Sequence, residues 1–264
     1  MKNLISYGQH YLEDAALFQK LIESASITDQ DNVVEIGAGD GRLTVQLAKK
    51  AQSVIAYEID NQTEEILSKR IETLNNVEII FENFLKVKLP EKANKIVASL
   101  PYQITEPFIE KIKEYNLDLI ALIVGSTFAN SAVSNSFMGK LWLLTRCYYR
   151  VTKICDIPPE SFSPPPKTWS SIVVLLPITK EELVQTPAFF VMREIFEQRD
   201  KKLKNALREA IIRLCDMRSV FMSKRECERL ISTYVSSLEN SNMVLEQMNN
   251  QQLETLFTFL RTID

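Results

Sequence analysis

One histidine, His10, stands in a chain of 264 residues, and the four cysteines, Cys147, Cys155, Cys215 and Cys227, lie far apart with no Cys-x-x-Cys pair. A zinc centre needs several imidazole or thiolate ligands, so no metal is expected, and the spacing supports no disulfide framework. A Ser-His or Cys-His nucleophile is disfavoured for the same want of histidine. The thiols read as reduced side chains in the core or at the surface. No apolar run approaches the ~20 residues of a membrane span, and Met1-Lys2-Asn3-Leu4 opens no signal-peptide apolar region, so a cytoplasmic protein is expected. Strong charge of one sign is missing too. A net charge of −3 does not advertise a nucleic-acid binder, so local distribution has to carry any such surface. The apolar share of 45% and charged share of 25% leave room for one large folded domain and a smaller one.

Glycine is scarce at six residues, and three of them alternate in Val33-Val34-Glu35-Ile36-Gly37-Ala38-Gly39-Asp40-Gly41. An apolar run, an acid and three residues free to take positive φ describe a strand feeding a turn that a ligand can approach closely. A helical pattern begins at Arg42. A second acid ends the next strand pattern, in Tyr57-Glu58-Ile59-Asp60, where a carboxylate suits a ribose. The same grammar serves dinucleotides, S-adenosylmethionine and plain tight turns. Ala98-Ser99-Leu100-Pro101-Tyr102 narrows the choice. A polar residue, an apolar one, proline and an aromatic at a strand end make the amino-methylating signature, and the distance from the glycine loop fits three intervening βα units. Together they point to a methyltransferase.

Strand and helix periods alternate along the first part of the chain. Asp14 is a fitting N-cap for a helix bearing Ala16, Leu17, Leu21 and Ile22. Strand patterns fall at 53–57, 77–81, 95–98 and 119–124, and helical ones at 42–50, 63–74 (with Ile66, Leu67, Ile71 and Leu74 on one stripe) and 104–115. The 119–124 run is apolar throughout, the mark of a strand buried on both faces. Such alternation implies a parallel doubly wound sheet with its ligand at the carboxyl ends of the strands. Residues 128–149 read as mostly helical, 151–155 as a short strand, the proline cluster at 157–167 as extended loop, and 171–176 as a late β segment.

Beyond 186 strand signals vanish and helices fill the remainder. Pro187 suits a first helical turn. Leu203 and Leu207 share one helix face, with Lys201, Lys204 and Arg208 along another, and the tail spaces Val244, Met248, Leu253, Leu256 and Leu260 like a docked helix. Across 193–229 eleven Lys or Arg stand against seven Asp or Glu, which suits an RNA surface or a solvated face equally.

Six blocks resemble, in order, the adenine N6-dimethyltransferases of small-subunit ribosomal RNA: Gly8-Gln9-His10-Tyr11-Leu12, Glu35 to Gly41, Glu58-Ile59-Asp60, Leu100-Pro101-Tyr102, Phe162-Ser163-Pro164-Pro165-Pro166-Lys167 and the run from Gln198 to Leu207. The resemblance implies an α/β fold, with a Rossmann-like class I methyltransferase sheet over 1–177. A smaller all-helical C-terminal domain over 178–264 would contact RNA through Arg199, Lys201, Lys202, Lys204 and Arg208. It implies S-adenosyl-L-methionine over the glycine loop: Gly37 and Gly39 give room, Glu58 accepts from both ribose hydroxyls, Ile59 packs on the adenine, and His10 and Leu12 close over the methionine end. The implied partner is small-subunit ribosomal RNA or a pre-ribosomal particle, met by a monomer that needs no metal.

Three positions depart from the family pattern. Asn83 stands where the family has an aspartate that accepts from the cofactor's adenine amine, and the neutral acceptor costs about 1 kcal/mol of affinity. Ser99 stands in the transfer turn, Ser99-Leu100-Pro101-Tyr102, where the family has asparagine. There the side-chain oxygen and the Leu100 carbonyl would accept from the target amine while Tyr102 stacks on the extruded base. Phe128-Ala129-Asn130 replaces a Glu-x-Ala type segment. A catalytically impaired RNA-binding assembly factor is the alternative to an enzyme. A small-molecule methyltransferase accounts for the glycine loop but not for the basic second domain.

Overall fold

The computed structural model describes residues 10–238, 240 and 242–263, so Gly8 and Gln9 of the first block lie outside the described residues. Two compact units divide the chain: Met1–Val133 with Arg150–Pro177, and Ser134–Tyr149 with Ile178–Asp264. The first unit is therefore not the continuous 1–177 stretch expected from sequence.

In the first unit β1 (Tyr11–Leu12) leads to α1 (Ala15–Ser24), whose N-cap Asp14 accepts from the Ala16 and Leu17 amides. Then follow β2 (Asn32–Ile36), α2 (Arg42–Ala48), β3 (Ser53–Tyr57), α3 (Glu64–Ile71), β4 (Val77–Ile80) and β5 (Lys95–Ser99). After them come α4 (Thr105–Ile112), β6 (Leu119–Gly125), α5 (Ser126–Ala132), β7 (Tyr149–Ile157), β8 (Phe162–Ser163) and β9 (Ser170–Pro177). Seven strands form one sheet in the order β4-β3-β2-β5-β6-β9-β7, parallel from β4 through β6, with β9 antiparallel to β6. The chain runs outward from β2 to β4 and then returns to the other side of β2. Strand order therefore reverses between β2 and β5, the place where open α/β sheets bind ligands.

Ile96, Val97 and Ala98 of β5 and Ile120 to Val124 of β6 are sealed from water, as the unbroken apolar run requires. Each large aliphatic side chain so buried contributes roughly 1.5–3 kcal/mol. Helix edges differ from the sequence periods. Asn61–Thr63 and Tyr102–Ile104 are 3-10 turns that precede α3 and α4. Ile66, placed on the apolar stripe of α3, is 58% exposed, because the buried position is Leu67.

The second unit holds α6 (Lys140–Tyr148), α7 (Lys180–Leu183), α8 (Pro187–Glu197), α9 (Leu203–Met217), α10 (Lys224–Ser236) and α11 (Asn250–Leu260). Residues 134–149 belong here because of Trp142: its ring lies 5.9 Å from Phe189 of α8 and 5.5 Å from Phe257 of α11, within a single aromatic cluster. Offset and edge contacts of this kind add about 0.5–1.5 kcal/mol each beyond burial. Pro187 does open α8. Val244 and Met248 precede α11 rather than riding on it, while Leu253, Leu256 and Leu260 are its buried face. Among the described residues no helix is long and apolar enough to cross a membrane, and no cluster of three His, Cys, Asp or Glu could hold a metal.

Candidate functional site

A cavity of about 660 Å³ opens at the carboxyl ends of β2, β3, β4 and β5. The turn after β2 makes its floor. Gly37, Gly39 and Gly41 all take positive φ, at 79°, 55° and 81°. At Gly39 a Cβ would fall 2.8 Å from the Tyr11 ring, and at Gly41 one would fall 2.6 Å from Leu67, so glycine is required at both by backbone angle and by space. The Gly37 and Ala38 amides both donate to the Tyr57 carbonyl at the end of β3, which fixes the turn to the neighbouring strand.

Glu58, 3% exposed, points into this turn. Its Oε2 accepts from the Gly39 amide at 2.8 Å, and its Oε1 accepts from the Ile59 and Asp60 amides at 2.7 and 2.8 Å. A carboxylate has about four acceptor directions. Three are taken by the protein's own backbone, so one remains for a ligand hydroxyl in this conformation, where the sequence suggested two. Ile59 beside it is 44% exposed at the cavity wall, an apolar surface left for a flat ring. Asn83 also lines the cavity and at the same time caps a short 3-10 turn, its Oδ1 accepting from the Leu85 amide at 2.9 Å.

The turn after β5 forms the opposite wall. Ser99 pairs with Ile123 in the sheet, and the Leu100 amide donates to the Ile123 carbonyl. The Pro101 and Tyr102 carbonyls accept from Ile104 N and from the Thr105 hydroxyl. Ser99 and Leu100 both line the cavity, and among the described residues neither the Leu100 carbonyl nor the Ser99 hydroxyl has a hydrogen-bond partner. The Tyr102 ring stands against Gly125, where a Cβ would approach it to 3.4 Å, and its hydroxyl bonds Ser170 Oγ at 2.7 Å. Both ends of the ring are thereby fixed.

Two distant segments close the cavity together. β1 pairs antiparallel with β8, Tyr11 opposite Ser163 and Leu12 opposite Phe162. His10 Nδ1 lies 2.7 Å from the Pro164 carbonyl, and since a carbonyl can only accept, Nδ1 carries the proton. The N-terminal arm and the proline-rich loop thus form one ribbon, which brings Tyr11 and Phe162 into the lining although neither was assigned a role from sequence. The signal for Phe162 was its place at the head of the Ser-Pro-Pro-Pro-Lys run. Tyr11 has its phenol pushed above the ordinary value, chiefly by burial and then by Glu58.

Glu35 of β2 is fully buried, and among the described residues neither of its carboxyl oxygens has a hydrogen-bond partner. Burial raises it to about 8, with Glu58 and Asp40 adding to the rise. The Thr44 hydroxyl pulls the value back, though it stops short of a full hydrogen bond in this conformation. At neutral pH the group is therefore an uncharged acid.

The basic residues of the second unit are less free than their sequence spacing suggests. Lys201 and Lys202 precede α9 rather than lying on it, so Lys201, Lys204 and Arg208 do not share a helix face. Lys201 pairs with Glu209, Arg208 with Glu228 at 2.9 Å, and Arg199 with Glu246 at 3.5 Å. Lys202 and Lys204 are exposed and carry no ion pair among the described residues.

Residues 1–219 match the family model described as ribosomal RNA adenine dimethylase. A probable ribosomal RNA small subunit methyltransferase A from Methanococcus vannielii is 37% identical over 216 residues, 78% of this chain and 80% of the relative. Its namesake from Methanosarcina mazei is 32% identical over 258 residues, covering 92% and 94%. Among solved structures, a dimethyladenosine transferase from Plasmodium falciparum superposes with a TM-score of 0.65 at 26% identity, covering 95% of this chain and 96% of its own.

Proposed function

The chain belongs to the ribosomal RNA adenine dimethylase family, and from that premise we propose that it transfers methyl groups from S-adenosyl-L-methionine to N6 of adenine in small-subunit ribosomal RNA. One observation carries this reading. The glycine turn with its buried carboxylate and the Ser99–Tyr102 turn, whose Ser99 hydroxyl and Leu100 carbonyl have no partner among the described residues, line a single cavity at the point where strand order reverses.

The residues present fit the cofactor. Gly37 and Gly39 leave the floor bare, Glu58 keeps one acceptor direction for a ribose hydroxyl, Ile59 offers a face for adenine, and Asn83 offers an amide oxygen beside it. His10 and Leu12, held on the ribbon, would cover the methionine end. S-adenosylmethionine supplies a methyl group on a sulfonium, ready for attack by an amine.

The protein's own contribution is orientation. An adenine amine is a poor nucleophile, because its lone pair is delocalised into the ring. Ser99 Oγ and the Leu100 carbonyl would accept its two N–H groups and turn that lone pair toward the methyl. Tyr102, fixed by Ser170 and Gly125, would stack on the extruded base. Phe162 gives the cavity a second aromatic wall and, through the β1–β8 pairing, joins the base site to the arm over the cofactor. Lys202 and Lys204, exposed and without an ion pair among the described residues, would meet RNA phosphates, with Arg199, Lys201 and Arg208 released only if their acids let go.

Single-turnover methylation of unmethylated small subunits by wild type, Ser99→Ala and Ser99→Asn tests the reading. Loss of one hydrogen bond in a desolvated site, ~1–3 kcal/mol, should slow Ser99→Ala by roughly ten- to a hundredfold. Three equal rates would remove Ser99 from the mechanism. No transfer by any of them, with particles still bound, would favour an RNA-binding assembly factor, the reading that the serine itself raises.

A further inference from the structure

The turn between α9 and α10 is built to hold a phenylalanine in water. Phe221 is 88% exposed and Val220 is 53% exposed, yet the backbone on both sides is pinned. On the α9 side, the Ser219 amide donates to the Asp216 carbonyl at 3.0 Å and the Val220 amide to the Cys215 carbonyl at 2.8 Å, the paired bonds of a Schellman ending. Ser219 accepts a φ of 57° to make that ending, a conformation glycine would take with less strain. Arg218 ties the same corner down through two hydrogen bonds to the Val184 carbonyl. On the α10 side, Ser223 and Glu226 form a complete capping box. Val220, Phe221 and Met222 are left as a short knuckle between two fixed ends.

Its surroundings select the kind of partner. Within four residues of Phe221 on either side stand Arg218, Lys224 and Arg225 and no acid. Lys224 and Arg225 occupy the first turn of α10, where the helix dipole disfavours cations. Both are exposed and unpaired among the described residues, and the nearest acid in α10, Glu226, is committed to the cap. A solvent-facing aromatic ring on a stiff turn, followed three and four residues later by two unpaired cations, suits an unpaired nucleotide: the base stacks on the ring and the flanking phosphates meet the cations.

We propose that the α9–α10 turn is a second RNA contact, in which Phe221 stacks on an unpaired base of the substrate RNA while Lys224 and Arg225 hold the adjoining phosphates. The proposal rests on the reading of small-subunit ribosomal RNA as substrate. It assigns the turn to recognition rather than to methyl transfer.

Binding of the full-length protein to small-subunit particles and to protein-free small-subunit RNA, titrated at several salt concentrations, tests it. Phe221→Ala should weaken binding to both by about tenfold with an unchanged salt slope, and Phe221→Trp should restore it. Lys224→Gln with Arg225→Gln should lower the salt slope by roughly 0.7–0.9 per residue. S-adenosylmethionine affinity, measured by calorimetry, should stay constant throughout. If wild type binds RNA and Phe221→Ala binds equally well, the stacking contact is wrong and the substrate reading stands. If Phe221→Ala weakens binding to the particle but not to free RNA, the knuckle docks on protein, and the proposal fails. If wild type binds neither, the substrate reading falls and takes the knuckle with it.

Discussion

Glu58 is the residue whose replacement the geometry constrains most closely. Its Oε1 serves two backbone amides and its Oε2 serves the Gly39 amide, so the two oxygens are not interchangeable with an amide's oxygen and nitrogen. In Glu58→Gln the single oxygen keeps Ile59 and Asp60, and the NH₂ group then faces the Gly39 N–H, donor against donor. The glycine turn loses its bond at Gly39, keeping those of Gly37 and Ala38 to Tyr57, and the ligand loses a charge-assisted acceptor worth roughly 1.5–3 kcal/mol. That converts to a cofactor dissociation constant raised by roughly ten- to a hundredfold. Glu58→Ala should also lose at least about tenfold, because the same acceptor goes. It should be no worse than glutamine, since water can reach the three amides it exposes. Calorimetric titration with S-adenosylmethionine, run beside a thermal melt to confirm folding, reads all three proteins. Wild-type affinity in folded Glu58→Gln would refute the reasoning, for it would leave the carboxylate as a backbone strap with no part in the ligand site.

Asn83→Asp should tighten S-adenosylmethionine by about fivefold, the worth of one charge-assisted bond over a neutral one. A higher melting temperature with unchanged affinity would show that the residue only caps its 3-10 turn. Glu35 titrates near 8 when folded, against an ordinary glutamate value of 4.5, so the protein should lose stability as pH rises between those values. Glu35→Gln should remove that slope, gaining on wild type by up to about 4 kcal/mol between pH 5 and pH 8. Urea midpoints at the two pH values check this, and an equal shift at both would contradict it. Lys204→Glu should lower the salt dependence of RNA binding by roughly 0.7–0.9 slope units for the lost phosphate contact. Lys201→Glu should change it less, since Lys201 already faces Glu209. Equal effects from the two would show that the ion pair opens on the RNA.

The sheet was legible because its strands carry apolar runs of the right length, and the glycine turn gained its meaning only beside the Ser99-Leu100-Pro101-Tyr102 turn. The positions of Glu58, Asn83 and Ser99 at strand ends followed from the βα alternation alone. What sequence could not supply was proximity across long separations. The pairing of Tyr11 with Ser163, which makes Phe162 and Tyr11 parts of one wall, depends on a two-residue ribbon too short to leave a periodic signal. Trp142 draws 134–149 into the helical unit through contacts with Phe189 and Phe257 that no local pattern announces. The basic run was misjudged for a related reason. Spacing placed Lys201, Lys204 and Arg208 on one face, but Lys201 lies before the helix begins and Arg208 turns to Glu228 of α10. Charge counted along a sequence ignores partners brought in from elsewhere.

The central claim is transfer of methyl groups to adenine N6 in small-subunit RNA. Purified protein, labelled S-adenosylmethionine and small subunits lacking adenine methylation would be incubated together, and the RNA digested to nucleosides for mass spectrometry. Labelled N6,N6-dimethyladenosine should form, and its yield should depend on Glu58 and Tyr102. Particles bound at saturation, with no methylated adenosine in the digest, would contradict it.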